Sequence, residues 1–545
     1  MRVTFLAALI SASASLEVLH SAARAAAETA RARVLRSSPV TVNTAFGPVT
    51  GTTDGLVTQF LGVPFAAPPV GARRWAAPQP PAPWSTPRNA TWWGPACPQI
   101  AENSYWGWFG AGMSEDCLQV NVYAPAGTPP PGGWPIMFWI YGGSYEMGTA
   151  GFPVYDAWWL VNHTKSAIVV TTNYRVSTIG WLASTALAAD APDGSNGNYG
   201  LQDCRAALAF VAATASSFGG DPKKVTVMGE SAGAGMVSLL LTSPRAEGLF
   251  RAAVIESGSM GSAWITNKYN ESAALFPKLA SALGCPREDS AAALACLRGK
   301  PWEAVMAAGV TAGTDGGEPV VDGVEVLGTP RERATAGLLA PGVAVILGSN
   351  ADEGSFGTPN VTAAQFSARV RATFGAFADG VLAAYPLADF AAPRDALVRV
   401  IGDCSMTCPT REAARWLVSA GRRGGAAPTY AYLYAHPNAV LNALIPGLGV
   451  AHATELLNVF YIDALLGGAG ERALALTWGR WWTRFVGALD PNGGADPAWA
   501  PFAPAAESIA VINTGAAGPS IANEGALRRA ECDFWDANPG ALLLC

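Results

Sequence analysis

The residues best suited to chemistry lie in Gly229-Glu230-Ser231-Ala232-Gly233. A β-prone run, Val225–Met228, precedes this pentapeptide, and a helix-compatible run, Ala234–Leu241, follows it. A serine on a sharp strand-to-helix turn is the G-x-S-x-G nucleophile elbow. Such a turn demands small neighbours, which Gly229, Ala232, Gly233, Ala234 and Gly235 provide. A helix starting behind Ser231 also aims N–H groups and the positive end of its dipole at the site, favouring a developing oxyanion. A glycine-rich turn with an incidental serine has the same letters; the strand and helix on the correct sides separate the two readings.

A serine hydroxyl needs a base to act as a nucleophile. The chain has four histidines: His20, His163, His436 and His452. His20 lies in or beside a leader-like segment, and His163 precedes Ser231 inside a sequon. The order serine, acid, histidine belongs to hydrolases built on an α/β sheet and leaves His436 and His452. His436 ends a strand-like run, which suits a structural role. His452 follows Gly447-Leu448-Gly449-Val450-Ala451, a loop-like context fit for a general base and then general acid. The acid belongs in a loop at the C-terminal end of a strand. Val343–Leu347 leads into Gly348-Ser349-Asn350-Ala351-Asp352-Glu353-Gly354, and residue type alone leaves Asp352 and Glu353 equal.

These groups need a scaffold. Pro135–Tyr141, Ala167–Thr172, Val225–Met228, Ala252–Ile255, Val343–Leu347 and Thr429–Tyr434 are short, largely apolar runs. Unbroken apolar runs of this length fit strands buried on both faces of a parallel sheet. Gly200–Ser216 and Ala473–Leu489 carry helical spacing, through Leu201, Ala207, Leu208 and Val211 and through Leu476, Trp478, Trp481 and Phe485. Alternating strands and helices predict an α/β fold with a large, mostly parallel sheet flanked by helices. No long low-complexity linker interrupts the chain, so one catalytic domain is expected over residues 37–545.

Composition narrows the function classes. Of 545 residues half are hydrophobic and 14% are charged, which excludes wholesale disorder. A net charge of −6 without a basic run argues against a nucleic-acid partner. Met1 and Arg2, the apolar stretch Val3–Ile10 and the small residues Ala12-Ser13-Ala14 fit a secretory signal peptide within residues 1–27. No run is long and apolar enough to span a bilayer. Nine cysteines and sequons at Asn89, Asn162, Asn270 and Asn360 agree with a secreted, disulfide-bonded glycoprotein.

The constellation resembles the type-B carboxylesterase/cholinesterase family of α/β-hydrolases. Leu61–Trp75, Ser114–Tyr123, Asn173–Trp181, Asn196–Leu208, Phe218–Gly235 and Glu256–Ser259 resemble family blocks in the family's order, spanning about Gly47 to Trp535. The resemblance assigns the acid to Glu353 within Asn-x-Asp-Glu-Gly, and pairs His452 with Glu455 three residues on as support. It implies an oxyanion hole from the N–H groups of Gly143, Ser144 and Ala232. Ser144 stands where the family has a third glycine, so the pocket or the loop is expected to differ there. The implied disulfides are Cys97–Cys117, Cys285–Cys296 and Cys408–Cys532; Cys204, Cys404 and Cys545 have no assigned partner, and Cys545 is open to a link between subunits.

Trp264 falls where cholinesterases carry an acyl-pocket tryptophan, with a core aromatic as the plain alternative. Trp106 and Trp108 fall near the family's choline-binding tryptophan, although the spacing from Trp108 is one residue short. The expected activity is hydrolysis of a small-molecule or lipid ester without metal or cofactor. A choline esterase, a lipase whose lid is the segment between Cys97 and Cys117, with Tyr105, Trp106, Trp108 and Phe109 placed to touch an acyl chain, and a silent adhesion relative are the competing readings. The silent relatives have typically lost a triad member, whereas this chain keeps all three. Oligomeric state stays open.

Overall fold

The computed structural model describes residues 13–100, 112–313, 317–424, 427–525 and 527–545, with side chains described outside 13–23 and 420–424. The chain divides into two compact units.

The first unit comprises Ala23–Ala253 and Ile265–Glu332. Its strands are β1 (Ser38–Asn43), β2 (Pro48–Thr53), β3 (Val57–Pro64), a short β4 (Arg88–Asn89), β5 (Gln119–Pro125), β6 (Trp134–Ile140), β7 (Ile168–Thr172) and β8 (Gly220–Glu230). Their order is β1-β2-β3-β5-β7-β6-β8, with β4 beside β2. Pairing is antiparallel from β1 to β7 and parallel from β7 through β6 to β8. In the parallel part Phe138 faces both Val170 and Val227 across the ladder. Burial of β6 from Pro135 to Ile140 and of every residue of β7 explains why these strands read as apolar runs.

The helix Tyr199–Thr214 leads from β7 into β8 and buries Leu201, Cys204, Ala207, Leu208 and Val211. It also carries Asp203, which accepts from Arg175 Nε at 2.8 Å, Nη2 at 2.7 Å and the Arg175 backbone N–H at 3.0 Å. Both side chains are fully buried. A second apolar cluster gathers Trp75, Leu182, Tyr199, Phe276, Leu279, Leu294 and Leu297. Cys97–Cys117 and Cys285–Cys296 are disulfides of this unit.

The second unit contains Val254–Trp264 and Arg333–Cys545. Strand β9 (Ala252–Glu256) leads into it, and β10 (Ala344–Asn350), β11 (Thr429–Tyr434), β12 (Ser508–Gly515) and β13 (Gly518–Gly525) follow. Strands β10, β11 and β12 are parallel and β13 closes the edge antiparallel. The helix Ala469–Ala488 buries Trp478, Trp481 and Trp482. Tyr432 of β11 meets Trp478 and Trp482 edge-on at 5.7 and 6.0 Å, and Trp499 packs on Trp481 and Trp482. Another core holds Phe366, Val370, Phe374, Tyr385, Val400 and Trp535 around the disulfide Cys408–Cys532.

A fourth disulfide, Cys404–Cys545, ties the last residue to the same core. This corrects the reading that left both cysteines unassigned and Cys545 open to linking subunits. Cys204 is buried and free, and burial pushes its thiol pKa up. The expected leader boundary at 27 falls inside a helix, Ser13–Leu35. Among the described residues no helix is long and apolar enough to cross a membrane.

Candidate active site

The elbow is built by close packing in the first unit. Ser231 sits at φ 55°, ψ −124° between β8 and the helix Ala232–Thr242, a backbone region that L-residues seldom adopt. A Cβ on Gly229 would lie 2.5 Å from the Gly233 carbonyl, and one on Gly233 would lie 2.1 Å from the Ile140 carbonyl oxygen. Side chains at either position would push the turn off the end of β6. This is the physical demand behind the two glycines.

The loop Tyr141–Met147 runs beside that turn. A Cβ on Gly142 would lie 2.9 Å from Ser231 Cβ, so only glycine lets the loop approach so closely. Gly143, Ser144 and Tyr145 take φ of 120°, 55° and 62° in succession. The N–H groups of Glu146 and Met147 both donate to the Gly143 carbonyl, at 3.0 and 3.1 Å. By contrast, the N–H groups of Gly143 and Ser144 donate to no described residue. Ser144 is exposed, whereas Tyr145 is buried and stacks edge-on against Trp181 at 5.4 Å. Ala232, the first residue of the helix, is fully buried.

The histidine and the acid belong to the second unit. Nδ1 of His452 lies 2.6 Å from Oε2 of Glu353, and both residues are buried. The other carboxylate oxygen, Oε1, accepts from Ser257 Oγ at 2.5 Å and from the Asn350 backbone N–H at 2.7 Å. The carboxylate is thus held on one side and turned towards the imidazole on the other. Asp352 does different work. Its carboxylate accepts from the Val450 N–H at 2.9 Å, and its own N–H donates to the Val450 carbonyl at 3.0 Å.

The loop bearing His452 is fixed further by Asn350, whose side-chain amide donates to the Ala451 carbonyl at 2.8 Å and to the Glu455 carboxylate. Glu455 thus meets the same side chain that holds the His452 loop. Ser257 and Asn350 are the residues that sequence reasoning did not single out. Ser257 lies inside the Glu256–Ser259 block, but nothing in that block marks the serine as a partner of an acid.

The structure brings Ser231 together with Gly142–Ser144, and His452 together with Glu353 and Ser257, each group within one unit. His436 is half-buried between Asn513 Oδ1 at 3.2 Å and Glu471 Oε1 at 3.1 Å, which fits a structural role. His163 is exposed and stacks on Trp159 at 5.8 Å. Trp264 is half-buried and its Nε1 donates to the Ser405 carbonyl at 3.2 Å. Trp108, with Tyr105, Trp106 and Phe109, lies outside the described residues. Among the described residues no group of three or more His, Cys, Asp or Glu side chains is placed to hold a metal ion.

A large, mostly parallel sheet flanked by helices makes this an α/β-hydrolase fold. The pattern of the Carboxylesterase family matches residues 38–535, and the chain belongs to that family. It is 32% identical to an acetylcholinesterase from Bungarus fasciatus, over 92% of this chain and 86% of the relative. It is 34% identical to a fumonisin B1 esterase from Sphingopyxis macrogoltabida, over 84% of each. Family membership supports hydrolysis of small-molecule carboxylic esters.

Proposed function

We propose that the protein is a secreted serine esterase in which Ser231, His452 and Glu353 form the catalytic triad. The observation that carries this reading is the 2.6 Å approach of His452 Nδ1 to a buried carboxylate that is already anchored through its other oxygen. A carboxylate held in this way keeps the proton on Nδ1 and leaves Nε2 as the base.

In the first half-reaction Ser231 Oγ attacks the ester carbonyl as Nε2 of His452 takes its proton. Glu353 stabilises the imidazolium, and the N–H groups of Gly143, Ser144 and Ala232 hold the oxyanion. Collapse expels the alcohol, which takes the proton from His452, and leaves an acyl-enzyme on Ser231. Water, deprotonated by His452, then releases the acid and restores the serine. The N–H groups of Gly143 and Ser144, which donate to no described residue, and the strained Ser231 support these roles. The chemistry needs neither metal nor organic cofactor.

The leader-like N-terminus, the four disulfides and the four sequons support export. One relative is named an acetylcholinesterase, so a choline leaving group is the first to try. The test is hydrolysis of short p-nitrophenyl esters by purified protein, with labelling by an organophosphate. Ser231→Ala is expected to abolish labelling and to lower kcat by a factor on the order of 10⁴ or more. Turnover unchanged in that variant removes Ser231 from the mechanism.

A further inference from the structure

We propose that Arg528, far from the triad in sequence, is a positioning residue for the acid–base pair, a role that rests on the triad reading above. The loop after β10 carries Asn350, Ala351, Asp352 and Glu353. Arg528 Nη2 donates to the Ala351 carbonyl at 2.8 Å, and Nη1 pairs with the Asp403 carboxylate. Nη1 also lies 3.3 Å from Thr407 Oγ1, which in turn lies 3.1 Å from Ser349 Oγ at the end of β10. The guanidinium therefore grips the chain on both sides of Asn350. That residue's N–H is the one that holds Glu353 Oε1, and its side chain holds the His452 loop.

The grip is built rather than incidental. Arg528 is 7% exposed and Asp403 is fully buried, so the ion pair is shielded from water. The second oxygen of Asp403 accepts from Tyr385 Oη at 3.0 Å, and Tyr385 Oη accepts from Trp535 Nε1 at 2.7 Å. Cys532 and Cys408 bolt together the segments that carry Arg528 and Asp403. A planar fork reaches a carboxylate and a carbonyl at once, which an ammonium cannot. The family resemblance gave Cys408 and Cys532 a structural role only, and no motif pointed to the arginine between the last strand and the last cysteine pair.

The experiment separates positioning from simple stabilisation. Wild type, Arg528→Lys, Arg528→Met and the pair Asp403→Asn/Arg528→Met are compared in thermal midpoint, in kcat and KM for a p-nitrophenyl ester, and in the pH profile of kcat/KM. The double variant removes the buried charge that Arg528→Met alone would strand. Its midpoint is expected to recover towards wild type, while kcat stays about 10- to 100-fold low with KM nearly unchanged, because a shift near 1 Å suffices for such a loss. The acid limb of its profile is expected to move to lower pH, since an imidazolium with a displaced carboxylate releases its proton more readily. Arg528→Lys is expected to fall between. The proposal is overturned if the double variant regains both midpoint and kcat, or if every Arg528 variant loses stability while kcat and the acid limb stay as in wild type. Glu353→Gln is run in parallel: wild-type turnover there refutes the triad reading itself, whereas a slow Glu353→Gln beside fast Arg528 variants refutes only the role of Arg528.

Discussion

Asp352 and Glu353 are adjacent carboxylates with opposite duties, and residue type could not assign them. Their contacts differ: Asp352 is spent on the Val450 backbone, while Glu353 faces the imidazole. Glu353→Gln is expected to lower kcat by a factor on the order of 10³–10⁴, because an amide favours the wrong tautomer of its histidine. Asp352→Asn should cost well under a tenth of that loss, and comparing kcat of the two variants checks the assignment. Equal losses would mean that the loop, not the carboxylate, carries the effect. Ser144 is a similar case. As a non-glycine residue at φ 55° it stores roughly 1–2 kcal/mol. Ser144→Gly keeps the N–H donor and is expected to raise the thermal midpoint with kcat within about twofold. A large fall in kcat would show that the hydroxyl, rather than the backbone, serves the site. Motif spacing made the nucleophile turn and the candidate histidine legible, but Ser257 and Asn350 were not, since both act through contacts that exist only once distant segments meet.

At the level of elements, the legible strands were those whose two faces are both buried. β6, β7, β10 and β11 read as apolar runs because nearly every position meets core. β1, β2 and β13 did not, because polar residues, glycine and proline outnumber the apolar ones there. The helix Ala469–Ala488 was found from its period, yet Leu476 is only half-buried whereas Leu474 and Trp482 are buried. A short window sets the period of a helix better than the centre of its buried face. Also hidden from the sequence was the ion pair of Arg175 and Asp203, since charged residues give no sign that they will be enclosed. Burial raises the Asp203 pKa while Arg175 opposes the rise, so the pair survives only as a unit. Arg175→Met strands a carboxylate in the core and is expected to cost about 3–5 kcal/mol, seen as a lower denaturation midpoint. Arg175→Met with Asp203→Leu should recover most of that loss. No recovery would place the energy in packing around the two side chains rather than in charge.

At the scale of the whole molecule an anchor stands near each end of the chain. Near the N-terminus the Arg33 guanidinium pairs with the buried Asp156 and lies 4.6 Å over the Trp158 ring. A chain starting at Glu28 keeps this anchor and one starting at Ser38 loses it, so the shorter form is expected to be less stable by about 3–5 kcal/mol in urea. At the other end two disulfides are nested, Cys408–Cys532 inside Cys404–Cys545, with sequence separations of 124 and 141 residues. Their contributions are not independent. Once either bridge is closed, the other closes only the difference between the two loops, about 17 residues, which is worth roughly 3 kcal/mol in the chain-entropy account. Removing both opens the long loop as well, for a total of roughly 8 kcal/mol. Cys404→Ser/Cys545→Ser and Cys408→Ser/Cys532→Ser are each expected to lose about 3 kcal/mol, and the quadruple variant more than the two losses added together. Proteolytic susceptibility of the C-terminal segment under native conditions measures all four proteins on one scale. Strict additivity would show that each bridge acts through local strain or packing, and an unaltered Cys404→Ser/Cys545→Ser variant would show that the last residue contributes no restraint.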